Sequence, residues 1–270
     1  MNYKCLFSII TVCYNASETI ERTIKSVLAQ NYADYEYLII DGASTDCTKQ
    51  ICDNYIPLFG GKMLFYSEPD KGIYDAMNKG AKLAKGKYIL FMNADDLLTE
   101  NALETYARTI NDVDVEYDII YGNTIVEYDC EGHLETKIRY AEPHITQKTL
   151  LDGMGIVHQS MITSKRLFEQ LGGFNLNFSV GADWDFLIRS VKQDAHLLYI
   201  SEPMSVFSLS GASSYAHNKE RHIIRKENKI YSFIDYGMIK DYLRPSYLIQ
   251  TLFGQEAYNK IRYYANKKHN

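Results

Sequence analysis

The hydrophobic pattern changes period repeatedly through the first half of the chain. Residues 6–14, LFSIITVCY, form a continuous apolar, β-branched run of the kind a strand buried on both faces shows. Behind it Ile20, Ile24, Val27 and Leu28 fall on one helical stripe, and Asn15 with Glu18 three positions later predicts a capping box at the start of that helix. The alternation then repeats. YEYLIID (35–41) reads as a second strand, and Ser44, Thr45 and Asp46 offer N-caps for a helix through about Tyr55. KMLFYS (62–67) reads as a third strand, GIYDAMNKGAKLAKG (72–86) as a helix ended by Gly86, and KYILFMN (87–93) as a fourth strand. This order predicts an α/β fold: a parallel sheet with right-handed crossovers and helices on both faces. From about Tyr117 the pattern shifts to shorter strands in DIIYGNTIVEYD and HLETKIRYAE, a helix near 146–152, a strand HQSMITS (158–164) and a helix holding ADWDFLIRSVKQ (182–193). Residues 217–265 read as two or three helices rich in Lys, Arg and Tyr.

In sheets of this kind ligands bind outside the carboxyl ends of the strands. Tyr14-Asn15, Asp41-Gly42, Glu68-Pro69-Asp70-Lys71 and Asn93-Ala94-Asp95-Asp96 all fall there. Asp95 and Asp96 follow an apolar strand directly; adjacent side chains at a strand end point in different directions and so can serve two ligands. Hard carboxylate oxygens suit Mg²⁺ or Mn²⁺, which take one or two carboxylates plus phosphate oxygens, and a nucleotide diphosphate fits that chemistry. An isolated Asp-Asp pair is otherwise read as a cap for a helix starting near Thr99. In the second acidic cluster, Asp185 and Arg189 are i,i+4 neighbours that can pair structurally. Asp183 lies at the presumed helix start without a local basic partner, where an N-cap role is the alternative. Capping and packing explain Asp75 and Asn78 as easily as ligand contact does.

Composition narrows the class. The 270 residues are 46% hydrophobic and 23% charged, as in a soluble globular protein. No apolar run approaches the ~20 residues of a membrane span, and the N-terminus enters patterned sequence without a small-residue cleavage site, so a cytoplasmic chain is expected. Five cysteines without CxxC spacing argue against a disulfide framework or zinc site and for reduced core thiols. The net charge of −5 hides an asymmetry: residues 217–270 hold eleven Lys and Arg against five Asp and Glu, a balance of +6, and the preceding 216 residues carry −11. Two surfaces with different partners are implied, neither of them nucleic acid. The expected organisation is one domain over 1–214, with a nucleotide-binding half (1–116) and an acceptor-side half (117–214), and a basic, Tyr-rich helical extension over 215–270.

The motifs SIITVCYN (8–15), DGASTD (41–46), EPDKGIYDAMNKG (68–80), FMNADD (91–96), HQSM (158–161), LGGFN (171–175) and ADWDFLIR (182–189) occur in an order that resembles the inverting family 2 glycosyltransferases of bacterial surface-polysaccharide assembly. The resemblance covers about residues 6–210. It implies the GT-A fold, a Rossmann-type three-layer α/β/α sandwich with a mostly parallel sheet, and transfer of a sugar from a nucleotide-diphosphate donor, a UDP-sugar by family frequency, to a hydroxyl of a glycan or lipid-linked glycan. By matching position it implies Tyr14 and Asp41 on the nucleotide base with Thr11 nearby, Lys71 near base and phosphates, Asp95 on the ribose, Asp96 on Mg²⁺ or Mn²⁺, and Asp183 as catalytic base. His158 and Trp184 fall on the acceptor side. The chain departs from the family pattern at Asn93, which stands first in the acidic motif, and at Ala182, where a Glu often precedes the base. A nucleotidyltransferase that makes sugar nucleotides, or a non-catalytic nucleotide-sugar-binding homologue, is the alternative; the first should carry a Gly-rich basic loop after its first strand, and CYNASETIE has no glycine. The extension leaves two partners open, an anionic membrane surface or a protein interface such as a homodimer, with protein packing ranked first.

Overall fold

The four apolar runs of the first half form four parallel strands. A computed structural model describes residues 3–130, 133–151, 153–209 and 217–230. In chain order the first half gives β1 (Cys5–Cys13), α1 (Ile20–Leu28), β2 (Tyr35–Asp41), α2 (Thr48–Tyr55), β3 (Met63–Ser67), α3 (Ile73–Leu83) and β4 (Gly86–Asn93). The second half gives β5 (Leu97–Leu98), α4 (Ala102–Asn111), β6 (Ile119–Cys130), β7 (His133–Arg139), β8 (Met161–Ser164), α5 (Lys165–Gln170), α6 (Ala182–Lys192), β9 (Leu197–Ser208) and α7 (His217–Glu227). The chain divides into compact units at 1–211 and 212–270. Within the second, α7 is the described element, and the Tyr-rich segment expected to be helical beyond Ile230 lies outside the described residues.

The sheet runs β3-β2-β1-β4-β8-β6-β9-β5, with β7 paired to β6. β1 pairs in parallel with β2 and β4, and β2 with β3, so their carboxyl ends share one edge. The remainder is mixed: β8 lies antiparallel between β4 and β6, while β6 and β9 are parallel across an irregular register near Tyr121 and Asn123. β1 and β2 are buried along almost their whole length, as their unbroken apolar runs require.

Two local expectations are corrected. Gly86 does not end a helix; α3 stops at Leu83, and Gly86 opens β4. A Cβ there would lie 2.5 Å from Ser8 N and 2.6 Å from the Phe7 carbonyl carbon, so the glycine permits close approach of β4 to β1. Asn15 forms no capping box, since α1 begins after Thr19. Asn15 takes a left-handed conformation (φ 48°), and its Oδ1 accepts from the Thr45 N–H at 2.9 Å. The loops after β1 and β2 are stitched further by Ala16 N–H to Thr48 Oγ1 (2.8 Å) and Ser17 N–H to Asp46 Oδ2 (3.1 Å).

In the second half, the segment 158–164 is a strand only from Met161. His158–Ser160 is a 3₁₀ turn, in which Ser160 Oγ bonds Thr124 Oγ1, Ser205 Oγ and Asn123 O. Near 146–152 the helix shrinks to a 3₁₀ turn over Thr149–Leu151. Phe91 on β4, Phe168 on α5, Phe174 in the loop after it and Phe186 on α6 pack with ring centroids 5.1–5.6 Å apart. That cluster fixes α6 against β4 and with it the position of Asp183. Among the described residues no helix is long and apolar enough to cross a membrane. The five cysteines are free; Cys13 and Cys52 are core residues, whereas Cys47 is exposed.

Candidate active site

Parallel pairing brings the ends of β1 to β4 to one edge, where two clusters of chemistry-bearing side chains assemble. The first follows β1, β2 and β3. Tyr14 is 64% exposed, a bare aromatic face at the end of an otherwise buried strand. A Cβ on Gly42 would meet Asp70 Oδ2 at 2.5 Å and Tyr14 Cδ2 at 3.4 Å, so the missing side chain lets Asp70 and Tyr14 converge. Lys71 is exposed beside them. Asp41 is buried, and its carboxylate is used by the loop: Oδ2 accepts from Ser44 N–H (3.0 Å) and Ser67 Oγ (2.6 Å), and Oδ1 from the Ser44 hydroxyl. Its geometry is that of a brace between β2, its loop and β3. Thr11, expected near the base, is fully buried inside the sheet with Oγ1 3.0 Å from Tyr37 Oη; it has no face toward a ligand.

The second cluster joins the turn after β4 to the start of α6. Asp96 N–H donates to Asn93 O at 3.3 Å, closing the Asn93–Asp96 turn. The adjacent acids part there. Asp96 is 0% exposed; Oδ2 accepts from Gln159 Nε2 (2.5 Å) and Oδ1 from Ser208 N–H (3.0 Å). Burial, then the charge of Asp95, pushes its carboxyl up to about 7 against those hydrogen bonds. Asp95 is half-buried, raised by burial, and is offset only by its own backbone. Each oxygen of Asp96, the expected metal ligand, thus accepts from one protein donor, while only its own backbone offsets Asp95.

Whether this turn suits a divalent cation can be judged from its donors. Asn93 Oδ1 is buried without a hydrogen-bond partner, and Asp95 is a partly desolvated carboxylate with no cation among the groups acting on it. Both are hard oxygens within three residues, and a cation would satisfy both. Among the described residues no group of three or more His, Cys, Asp or Glu could hold a metal.

Asp183 sits in the first turn of α6; Gly181 is the N-cap, so the capping alternative fails. Its side chain is 16% exposed and each oxygen has protein donors. Oδ1 accepts from the Tyr74 hydroxyl (3.0 Å) and Trp184 N–H (2.8 Å), and Oδ2 lies 3.2 Å from His158 Nδ1. Burial works against the charged form, but the His158 hydrogen bond and charge, the Trp184 N–H and Tyr74 outweigh it and hold the carboxyl below the usual range. Asp183 is thus an ionised carboxylate with a small exposed face. His158 and Gln159, consecutive in one turn, link it to Asp96. Trp184, expected on the acceptor side, is buried with Nε1 donating to Leu150 O at 3.1 Å, a core residue. Asp185 pairs with Arg189 (2.8 Å), whose guanidinium also donates to Leu171 O and Gly173 O, as the i,i+4 spacing predicts. Asn78 clasps both backbone groups of Phe174. Tyr74 and Gln159 both lie within the quoted motifs, but nothing in their neighbourhood along the chain marks them as site residues.

The comparisons bear on this site. The profile of "Glycosyl transferase family 2" matches residues 8–172. A PGL/p-HBAD biosynthesis glycosyltransferase of Mycobacterium bovis is 34% identical over 191 residues, 70% of this chain and 71% of the relative. Glycosyltransferase GlyG of Streptococcus pneumoniae is 30% identical over 128 residues, 47% of this chain and 42% of that one. Among solved structures, Staphylococcus aureus TarS 1–349 in complex with UDP-GlcNAc aligns with TM-score 0.69 and 15% identity, over 92% of this chain and 73% of its own. The Pyrobaculum calidifontis mannosyltransferase PcManGT in complex with GDP-Man and Mn²⁺ aligns with TM-score 0.61 and 16% identity, over 99% and 81%. Those structures share the GT-A-like fold; the profile match and the mycobacterial relative show that the chain belongs to glycosyl transferase family 2.

Proposed function

We propose that the chain transfers a sugar, with inversion, from a nucleotide-diphosphate sugar to a hydroxyl of a glycan or lipid-linked glycan. The observation that carries this reading is the Asp183 carboxylate, ionised and 16% exposed on the ligand edge of the sheet. Oδ1 takes two donors and Oδ2 one, so Oδ2 keeps an acceptor site for an incoming hydroxyl. Asp183 takes the hydroxyl proton as the oxygen attacks the anomeric carbon opposite the departing diphosphate. Tyr14 offers its ring to the nucleotide base, Asp70 and Lys71 flank it, and Asp41 holds the loop that shapes the pocket. Asn93 and Asp95 would hold Mg²⁺ or Mn²⁺, which supplies neutralisation of charge developing on the leaving diphosphate.

UDP is the expected carrier by family resemblance; of the structural neighbours, TarS was solved with UDP-GlcNAc and PcManGT with GDP-Man. The mycobacterial relative is named for PGL/p-HBAD biosynthesis, and the lipid-linked acceptor rests on the family resemblance. The +6 balance of residues 217–270 suits an anionic membrane surface or a second protein surface, and a peripheral place at the inner membrane face follows from the first.

Asp183→Asn decides the base. It keeps the side chain's shape and leaves the nucleotide cluster untouched, so transfer should fall by at least ~10²-fold with donor affinity nearly unchanged. Turnover within about threefold of the unmodified protein would remove Asp183 from that role.

A further inference from the structure

Tyr74, on the first turn of α3, carries one hydroxyl proton, and both Val180 O at 2.6 Å and Asp183 Oδ1 at 3.0 Å lie within its reach. Its ring is buried and packs on Phe174 with centroids 5.2 Å apart, so the hydroxyl is delivered by a fixed aromatic body. The other groups facing Asp183 are His158 on the 3₁₀ turn and the Trp184 N–H, with Asp96 beyond His158 and Gln159. One proton cannot fully serve two acceptors. A carboxylate draws it more strongly than a neutral carbonyl, since charge-assisted hydrogen bonds are roughly twice as strong. When Asp183 takes up a proton that advantage is lost, and the nearer Val180 carbonyl becomes the better acceptor.

We propose that Tyr74 is the positioning residue of Asp183: its hydroxyl holds Oδ1 while the carboxylate is charged and turns to Val180 O once the carboxyl is neutral. The base is then aligned before reaction, with Oδ2 directed to the acceptor, and the clamp relaxes after proton uptake. This rests on the reading of Asp183 as the base. No step of bond making passes through Tyr74, which exchanges one hydrogen bond for another.

Tyr74→Phe keeps the ring and its Phe174 contact and removes the hydroxyl. The Asp183 carboxyl carbon can be titrated by NMR, its resonance assigned by its loss in Asp183→Asn. The Asp183 midpoint should rise by roughly half to one pH unit in Tyr74→Phe, because one stabilising donor to the charged form is gone. In the unmodified protein the Tyr74 ring carbon bearing the hydroxyl should shift at the same midpoint as Asp183, and that inflection should vanish in Asp183→Asn. An unchanged midpoint in folded Tyr74→Phe, or no shared inflection in the unmodified protein, overturns the clamp. UDP release from UDP-GlcNAc with Mn²⁺, water serving as acceptor, is followed in parallel. A structural role for Tyr74 would scale that rate equally at all pH, whereas the clamp moves its acid limb upward with the midpoint. If Asp183→Asn retains UDP release while the unmodified protein shows the shared inflection, the base reading fails and the clamp stands.

Discussion

Asp95 and Asp96 are one residue apart on a turn, and the difference between them is which protein donors reach them. Gln159 and Ser208 each donate to one oxygen of Asp96, whereas Asp95 is offset only by its own backbone. Asp95→Asn should therefore abolish the metal-dependent part of UDP binding, and Asp96→Asn should keep it within about threefold. Calorimetry with Mn²⁺ and with EDTA measures this; a larger loss in Asp96→Asn would return the metal to that residue. Asp96 also leaves a signature in stability. Its folded carboxyl is raised to about 7, above the ~3.9 of an unfolded Asp, so between those values the folded state binds more protons. That contribution is present at low pH and is lost as pH rises from about 4 to about 7. Denaturant midpoints measured in EDTA should show that fall with the native residue and lose it in Asp96→Asn, where the unpartnered Gln159 Oε1 can accept from the introduced amide. None of this was legible in the residues themselves. The sequence marked the pair as acidic and at a strand end, but Gln159 and Ser208 lie 63 and 112 residues away. The i,i+4 pairing of Asp185 with Arg189 was legible because both partners sit on one helix.

At the scale of elements, strands β1 to β4 and helices α1 to α3 follow the hydrophobic period to within a few residues. Their ends do not, because an end is set by what packs against it. Gly86 shows the difference: glycine after a helical stripe reads as a stop, yet the neighbour that requires it is the β1 backbone at Phe7 and Ser8. Gly86→Ala should thus separate β4 from β1 and cost about 2–3 kcal/mol in denaturant unfolding. A change below about 0.5 kcal/mol would show that the strands can part freely. Asn15 failed as a cap for a related reason, since the β2–α2 loop claims its side chain. β9 carries a weak local signal, because Glu202-Pro203 interrupts LLYISEPMSVFS and its pairing with β6 needs an irregular register.

For the whole molecule, the proposed ligands should act as folding ligands. A nucleotide that binds only the folded state at a hundred times its Kd adds about 2.7 kcal/mol, so UDP and GDP, each with and without Mn²⁺, can be ranked by thermal shift. The expected result is a larger rise in Tm for UDP than for GDP, and only with the cation. Equal shifts for both, or none that depends on Mn²⁺, would contradict the UDP and metal readings respectively. The sequence by itself determined the parallel half of the sheet and the edge on which its polar loop clusters fall, and its resemblance to a family singled out Asp183 and Tyr14 as the residues to test. The sheet and its edge follow from local period and from a topology that puts every β1–β4 end on one side. Tertiary structure decided which of the polar side chains remain available. It set Thr11 inside the sheet and Trp184 in the core, gave the Asp41 and Asp96 carboxylates protein donors, and brought Tyr74 and His158 to Asp183. Availability depends on donors contributed by distant segments, which carry no mark in a residue's own neighbourhood along the chain.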